Sequence, residues 1–196
     1  MNSKSKNRSD EGTSYRQPPK GRCAHSAPDR IFLTSNNGSL GPLPITFITT
    51  VLSQTINQPV ASITIDASGF KDPIVQVDFT GILDLTTFTA LANATLNFTL
   101  FRSCRETGLQ EPVATFSFYV VEQTGGVTSS HTLVFKYISP SDGCEDNCAC
   151  KGCTTYTLQL DSIFNLGIGT LTLFINGTIS ALVIDSGGIN SIGSNR

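Results

Sequence analysis

The sequence contains no tryptophan, one methionine and two histidines, and only 14% of its residues are charged. A shortage of charged residues, with no long stretch rich in Ala, Leu, Glu and Lys, argues against a helical protein. No apolar run approaches the roughly 20 residues that a membrane-spanning helix needs. The first seven residues are polar, so we predict no secretory signal peptide and synthesis in the cytoplasm.

Threonine, serine, glycine and asparagine are abundant instead, and β-branched threonine suits the half-exposed face of a strand. Apolar and polar residues alternate with a period of two in five segments, 75–80, 95–100, 114–120, 133–137 and 156–160. This period is typical of strands with one buried and one solvated face. Further strands are predicted at 30–34, 44–52, 60–66, 170–176 and 179–185.

Several Gly-containing pairs predict the turns between these strands. Asn176-Gly177 fits a two-residue hairpin between the last two predicted strands. Other turns are predicted at Asn37-Gly38, Gly125-Gly126 and Asp142-Gly143, and residues 86–94 are the one segment expected to form a helical turn. Nine or ten strands with hairpin connections predict an all-β antiparallel sandwich, a jelly roll, with an immunoglobulin-like sandwich as the open alternative.

The chain divides into three parts by composition. Residues 1–29 are charged and rich in Ser, Asn and Pro, which predicts a disordered N-terminal connector; residues 30–190 form the sandwich domain and residues 191–196 a short tail. Residues 1–30 carry seven basic and three acidic side chains, whereas residues 31–196 carry six and twelve. Because the basic residues have no aromatic platform nearby, we do not expect nucleic-acid binding. Attraction between the basic connector of one copy and the acidic body of another is the simpler explanation of this uneven charge.

Four of the six cysteines fall within ten residues, and the complete set is Cys23, Cys104, Cys144, Cys148, Cys150 and Cys153. Such density has two common explanations, a structural zinc site and a disulfide framework. Zinc sites generally use two separated pairs of ligands, whereas three of these cysteines are crowded together and no histidine is near them in sequence. We therefore favour disulfides, with zinc as an alternative.

The body holds five cysteines and the connector holds one. If all six form disulfides, Cys23 must join a cysteine of the body, either in its own chain or in a neighbour. A bond to a neighbour is a head-to-tail contact, and repeated copies then grow into a fibre or layer. Six cysteines allow fifteen pairings, so the sequence leaves the connectivity open.

No pattern of catalytic residues stands out, and we predict that the protein is not an enzyme. His131 lies on or beside a strand without a nucleophile-elbow Gly-x-Ser-x-Gly motif elsewhere, and Asp78, Asp84 and Asp161 occur singly on strands. A carbohydrate-binding module is the main rival class. Tryptophan is absent, and most of the four tyrosines fall in predicted connector or core positions, which leaves few platforms for stacking sugars.

Two segments resemble a clostridial family of small, cysteine-rich proteins of uncharacterised domain type. They are Leu100-Phe101-Arg102-Ser103-Cys104, and Leu133-Val134-Phe135 followed by Cys144-Glu145, Cys148-Ala149-Cys150-Lys151-Gly152-Cys153 and Tyr156-Thr157-Leu158. The resemblance covers about residues 60–185. The chain departs from the family pattern at Lys151, where proline is common, and at the single Cys153, where two adjacent cysteines are common.

This resemblance implies a protein of the spore surface, made in the mother-cell cytoplasm and oxidised after lysis. The organisation is also similar to that of endospore appendage subunits, pilus-like fibre proteins with a cysteine-bearing connector and a jelly roll. It implies that Cys23 is the connector cysteine and that its acceptor is among the five body cysteines. The implied partners are copies of the same chain and other spore-surface proteins, with no cofactor, nucleic acid or membrane.

Overall fold

The computed structural model describes residues 31–48, 52–70, 73–87, 91–104, 108–123, 126–139, 153–165 and 169–185. These contain eight strands: β1 (Ile31–Phe47), β2 (Leu52–Asp66), β3 (Pro73–Thr87), β4 (Leu91–Cys104), β5 (Gln110–Gln123), β6 (Thr128–Ile138), β7 (Cys153–Asn165) and β8 (Gly169–Asp185). They pair antiparallel in two four-stranded sheets. The strand order is β1-β8-β3-β6 in sheet A and β2-β7-β4-β5 in sheet B.

This strand order decides between the two predicted sandwiches. Eight strands divided four and four form the double Greek key of a jelly roll, whereas an immunoglobulin-like domain divides its strands differently. The predicted all-β jelly-roll sandwich is confirmed. The part of the chain described above contains no helix long and apolar enough to cross a membrane.

The core lies between the two sheets and follows the predicted period of two. In β3, every second residue from Val75 to Thr87 is buried. The ring of Phe135 on sheet A joins the two sheets, because it contacts Phe98 at 5.0 Å and Phe116 at 4.8 Å on sheet B, measured between ring centroids. It also stacks against Phe79 of its own sheet at 6.0 Å. Alternation along each strand therefore becomes one continuous aromatic and aliphatic core.

The predicted hairpin at Asn176-Gly177 is wrong, because β8 continues through it without a break. The turn predicted at Asn37-Gly38 is also wrong, since that pair lies inside β1. Gly38, Gly177 and Gly81 instead face one another across β1, β8 and β3. A Cβ at Gly177 would lie 2.7 Å from the Phe79 ring, and one at Gly38 would lie 2.4 Å from Ala61 Cβ on β2. Glycine here permits close packing rather than a turn.

Of two further predictions about the connections between strands, one is wrong and one is confirmed. The helical turn at residues 86–94 is wrong, since this region holds the end of β3 and the start of β4. The turn at Gly125-Gly126 is confirmed at Gly126, which lies between β5 and β6 and has a φ of 75°. Its N–H donates a hydrogen bond to the Thr87 carbonyl of β3 at 2.6 Å. Asp142-Gly143 lies outside the described residues, as do residues 1–30. The strand count falls from nine or ten to eight because β1 and β8 each replace two predicted strands.

Candidate functional site

One end of the sandwich gathers the sequence features that pointed to function, and we call it the cysteine end. β1 begins there at Ile31 and β8 finishes there at Asp185, since Ile31 pairs with Ile184. Cys104 is the last residue of β4 and Cys153 is the first residue of β7. The connector, the C-terminal tail and the cysteine-rich segment between β6 and β7 therefore all join the sandwich at this end.

Strand pairing brings the two described cysteines close together. β7 lies between β2 and β4, with Cys153 opposite Asp66 on one side and Cys104 opposite Thr154 on the other. Both cysteines line an open groove of about 450 Å³, whose other lining residues are Thr64, Ser103, Gly108 and Thr155. Thr64, Ser103, Cys153 and Thr155 lie on the outer face of sheet B, because they alternate or pair with residues on that side of the buried Thr154. Cys104 pairs with Thr154 itself and therefore lies on the inner-face side at the end of β4.

Hydrogen bonds order the polar surface of this groove. The hydroxyl oxygens of Thr64 and Thr155 lie 2.8 Å apart, and Ser103 Oγ donates to the Thr155 carbonyl at 3.4 Å. Hydrogen bonds from Ser68, from its hydroxyl and then from its backbone N–H, hold the pKa of the Asp66 carboxyl below its usual value. Asp66 therefore keeps a negative charge on the strand beside Cys153.

The two described cysteines have different covalent states. Cys104 is disulfide-bonded, whereas Cys153 is a half-buried free thiol. The partner of Cys104 is therefore not Cys153 and lies outside the described residues. Cys23, Cys144, Cys148 and Cys150 lie outside them too, so the predicted connector role of Cys23 and the intermolecular role of the body cysteines stay predictions.

The Leu100–Cys104 segment owes part of its order to an ion pair. Arg102 Nε donates to Glu111 Oε1 at 2.6 Å, and its Nη2 forms a salt bridge to the same oxygen, which joins β4 to β5. Burial raises the pKa of the nearby Tyr137 phenol, although the positive charge of Arg102 acts in the opposite direction. Arg102 thus holds the start of β5 against the end of β4.

The segment that precedes the cysteine-rich stretch is anchored firmly. Val75 N–H donates to Ser139 Oγ at 2.9 Å, and Ser139 N–H donates to the Val75 carbonyl at 2.8 Å. Ser139 is buried, so this reciprocal pair satisfies polar groups that would otherwise be costly to bury. The cysteine-rich stretch therefore leaves the sandwich from a defined point beside β3.

The residues considered for catalysis are dispersed. His131 Nε2 lies 3.1 Å from Ser129 Oγ, and its ring meets Phe118 edge-on. Asp78 and Asp84 lie on β3, six residues and thus about 20 Å apart, too far for a glycosidase pair. Asp161 lies on sheet B, where Thr99 and Gln159 donate hydrogen bonds to it. Within the residues that the structure describes, no cluster of three His, Cys, Asp or Glu side chains is placed to hold a metal.

Sequence reasoning missed the exposed edge of β5. Tyr119 is 70% exposed on the outer face of sheet B, as is Val121 at 67%. β5 and β2 are the two edge strands of sheet B, and β6 and β1 are the two edge strands of sheet A. The sequence did carry a signal, since residues 114–121 (ATFSFYVV) contain no charge and no proline, and both their faces are rich in aromatic and β-branched residues.

Comparison with known families places the chain in one of them. The model of the domain of unknown function DUF4489 matches residues 37–184, which span β1 to β8 almost completely. The chain belongs to the DUF4489 family. No curated protein matches it.

Several solved structures are similar to this DUF4489 chain at low sequence identity. The structure of the infectious bursal disease virus Gx strain is 14% identical, with a TM-score of 0.39, over 82% of this chain and 33% of that chain. The VP2 subviral particle of the same virus is 10% identical, with a TM-score of 0.31, over 81% and 41%. A family 11 carbohydrate-binding module from Clostridium thermocellum is 7% identical, with a TM-score of 0.22, over 79% and 88%. The DUF4489 chain thus spans about a third of the length of the first viral protein.

Proposed function

We propose that this protein is a structural subunit that assembles with copies of itself into a disulfide-cross-linked fibre or layer at the spore surface, similar to an endospore appendage. The observation that carries the proposal is the outer edge of β5. Among the described residues, no strand pairs with that edge. A free, long and uncharged edge is a template for strand pairing with another chain.

The composition of β5 strengthens this argument. Natural proteins commonly protect an edge strand with charges, proline or a bulge. In β5 these devices lie at the two ends. Glu111 and Pro112 accompany a register shift against β4 at the start, and Glu122 precedes the last residue. The eight residues between these ends, 114–121, have the high β-propensity and lack of charge that favour intermolecular strand pairing. We therefore assign the non-covalent contact between copies to this edge.

The covalent contact is assigned to Cys23. Cys23 lies eight positions before Ile31, the start of β1, a reach of at most about 29 Å. The connector leaves from the cysteine end, so a copy placed against this end brings its body cysteines within reach. Because the same reach also allows a bond within one chain, the decisive experiment must separate the two.

Mixed-isotope disulfide mapping distinguishes a Cys23 disulfide between two chains from one within a single chain. Equal amounts of ¹⁴N- and ¹⁵N-labelled full-length protein are reduced, mixed, oxidised and digested without reductant. We expect cross-linked peptides of mixed label that contain Cys23, and reductant-sensitive ladders on denaturing gels. Cys23→Ser should stay folded and lose the ladders, whereas the control Ser26→Ala should keep them. Unchanged ladders in Cys23→Ser, or a native reduced monomer that holds a metal ion in the thiol-rich segment, would show that the proposal is wrong.

A carbohydrate-binding role is the alternative, favoured by a second groove. This groove of about 400 Å³ lies on the outer face of sheet A and is lined by amide and hydroxyl side chains together with Ile82: Asn37, Asn176, Thr80, Thr132 and Thr178. Such groups can bind sugar hydroxyls, but the groove lacks an aromatic lining residue. Retardation of the purified protein on polysaccharide gels, abolished by Asn176→Ala, would favour this alternative over assembly.

A further inference from the structure

The outer face of sheet A carries an apolar patch at the cysteine end. It is built by two successive cross-strand rows of outward-facing residues, and we define the apolar patch as Ile31, Leu33, Ile74, Ile138, Leu182 and Ile184. In the second row Gln76 of β3 lies between Leu182 and Ile138, so Ile138 flanks the patch across one polar residue. Ile31 is 65%, Leu33 69% and Ile138 53% exposed. The most prominent exposed apolar patch of a monomer is often functional, which makes this group of side chains a candidate interaction site.

The patch contrasts with the next row of the same face. The row that follows across the four strands is polar and consists of Ser35, Ser180, Asp78 and Lys136. Beyond it, Asn37, Thr178 and Thr80 are polar, and the exposed Val134 occupies the β6 position of that row. Outside the patch the face is therefore mainly polar, with Val134 and Ile82 as isolated exposed apolar residues.

The rest of the chain is poorly composed to cover the patch. Residues 1–30, which join β1 at Ile31, contain no Ile, Leu, Val or Phe. Residues 186–196, which follow β8, contain two isoleucines against six patch residues. The cover with matching chemistry is another apolar patch. Outer faces of two sheets can stack about 10 Å apart, as the two sheets of a sandwich do.

The border of the patch is also self-complementary in charge. Asp78 and Lys136 lie opposite each other on β3 and β6 in the polar row. A two-fold contact uses the same surface on both copies, so an acid and a base beside the patch allow opposite charges to meet across the interface. A partner of one charge would leave one of them unmatched.

We propose that the apolar patch is the interface of a two-fold, non-covalent dimer of this chain. The proposal rests on the proposed function, to which it adds a contact between copies that needs neither Cys23 nor the edge of β5. Because the patch is small, the dimer is weak and reversible. It would raise the local concentration of connectors and cysteine ends before oxidation fixes the assembly.

Sedimentation velocity of the reduced full-length protein tests this directly, because reductant removes every disulfide contribution. We expect a concentration-dependent equilibrium between the 20.9 kDa monomer and its dimer. Leu33→Asp places a charge in the interface and should weaken dimerisation at least tenfold. The control Val134→Asp makes the same change at a residue of the same sheet face that is 67% exposed but outside the patch, and it should leave the dimer unchanged. Raising the salt concentration should not dissociate the dimer, in contrast to attraction between connector and body.

The outcomes separate this proposal from the proposed function. A reduced protein that stays monomeric up to about 1 mM, or equal effects of Leu33→Asp and Val134→Asp, overturns the patch dimer. If the chain is monomeric and Ile189→Asp increases binding of an apolar dye, residues 186–196 cover the patch instead, which also overturns it. Oxidised Cys23 ladders that persist in Leu33→Asp would leave the proposed function standing.

Discussion

Gly81 on β3 and Gly177 on β8 lie directly opposite each other, so close that a Cβ on Gly177 would stand 2.7 Å from the Cα of Gly81. The Phe79 ring covers the same spot, and its Cζ atom is also 2.7 Å from that Cβ position. Both glycines occupy inward-facing positions, so the ring fills space that two side chains would otherwise take. This packing gives the first prediction.

Gly177→Ala should destabilise the domain by about 1–3 kcal/mol, because the added methyl group forces the Phe79 ring or the backbone of β3 to move. Chemical denaturation of the reduced protein measures the effect. Ser180→Ala on the outer face of the same strand is the control and should change the free energy of unfolding by less than about 0.5 kcal/mol. A Gly177→Ala protein as stable as the wild type would contradict the close packing.

Phe135→Ala should cost about 3–5 kcal/mol, since it removes a ring that contacts aromatic residues of both sheets. Phe135→Leu keeps most of the volume and should cost clearly less, which separates the loss of ring contacts from the loss of volume. Denaturant midpoints of the two variants provide the comparison. If Leu and Ala at this position were equally destabilising, ring geometry rather than volume would control the core.

Tyr137 should make the fold sensitive to alkali. Burial raises its pKa in the folded state above the usual value of 10.0, so the folded chain holds the phenol proton more tightly than the unfolded chain. Its contribution to stability is complete below the unfolded pKa and is lost as the pH rises through the folded pKa. Tyr137→Phe should therefore reduce the fall in unfolding free energy above about pH 10. An identical alkaline slope in both proteins would contradict this origin.

Val121→Lys should prevent lateral assembly without unfolding the domain. The side chain is exposed on β5, and a lysine on an edge strand disfavours pairing with another strand. Val127→Lys makes the same change at an exposed residue between β5 and β6 and is the control. Electron microscopy and light scattering after oxidation should show assemblies for the control and few or none for Val121→Lys. Equal assembly of both variants would show that copies do not meet along β5.

The alternation of apolar and polar residues was sufficient to predict the all-β class and the buried face of most strands. In β3, Val75, Val77 and Phe79 were predicted on one face and are buried together. This succeeds because the pleat places successive side chains on opposite faces whatever the rest of the chain does. The same local rule missed the apolar patch, although consecutive apolar residues such as Ile31-Phe32-Leu33 already indicate a strand end with two apolar faces.

The Asn-Gly pairs show what local sequence could not decide. A two-residue turn at Asn176-Gly177 was a sound local prediction, but the structure pairs this segment with β1 on one side and β3 on the other. Hydrogen bonds to two neighbouring strands and the space needed by Phe79 and Ala61 outweigh a local turn preference. The sequence alone thus determined which segments are strands and which side chains they bury, because both depend on the pleat. Only tertiary structure decided that glycine serves close packing here, because its use depends on strands distant in the chain.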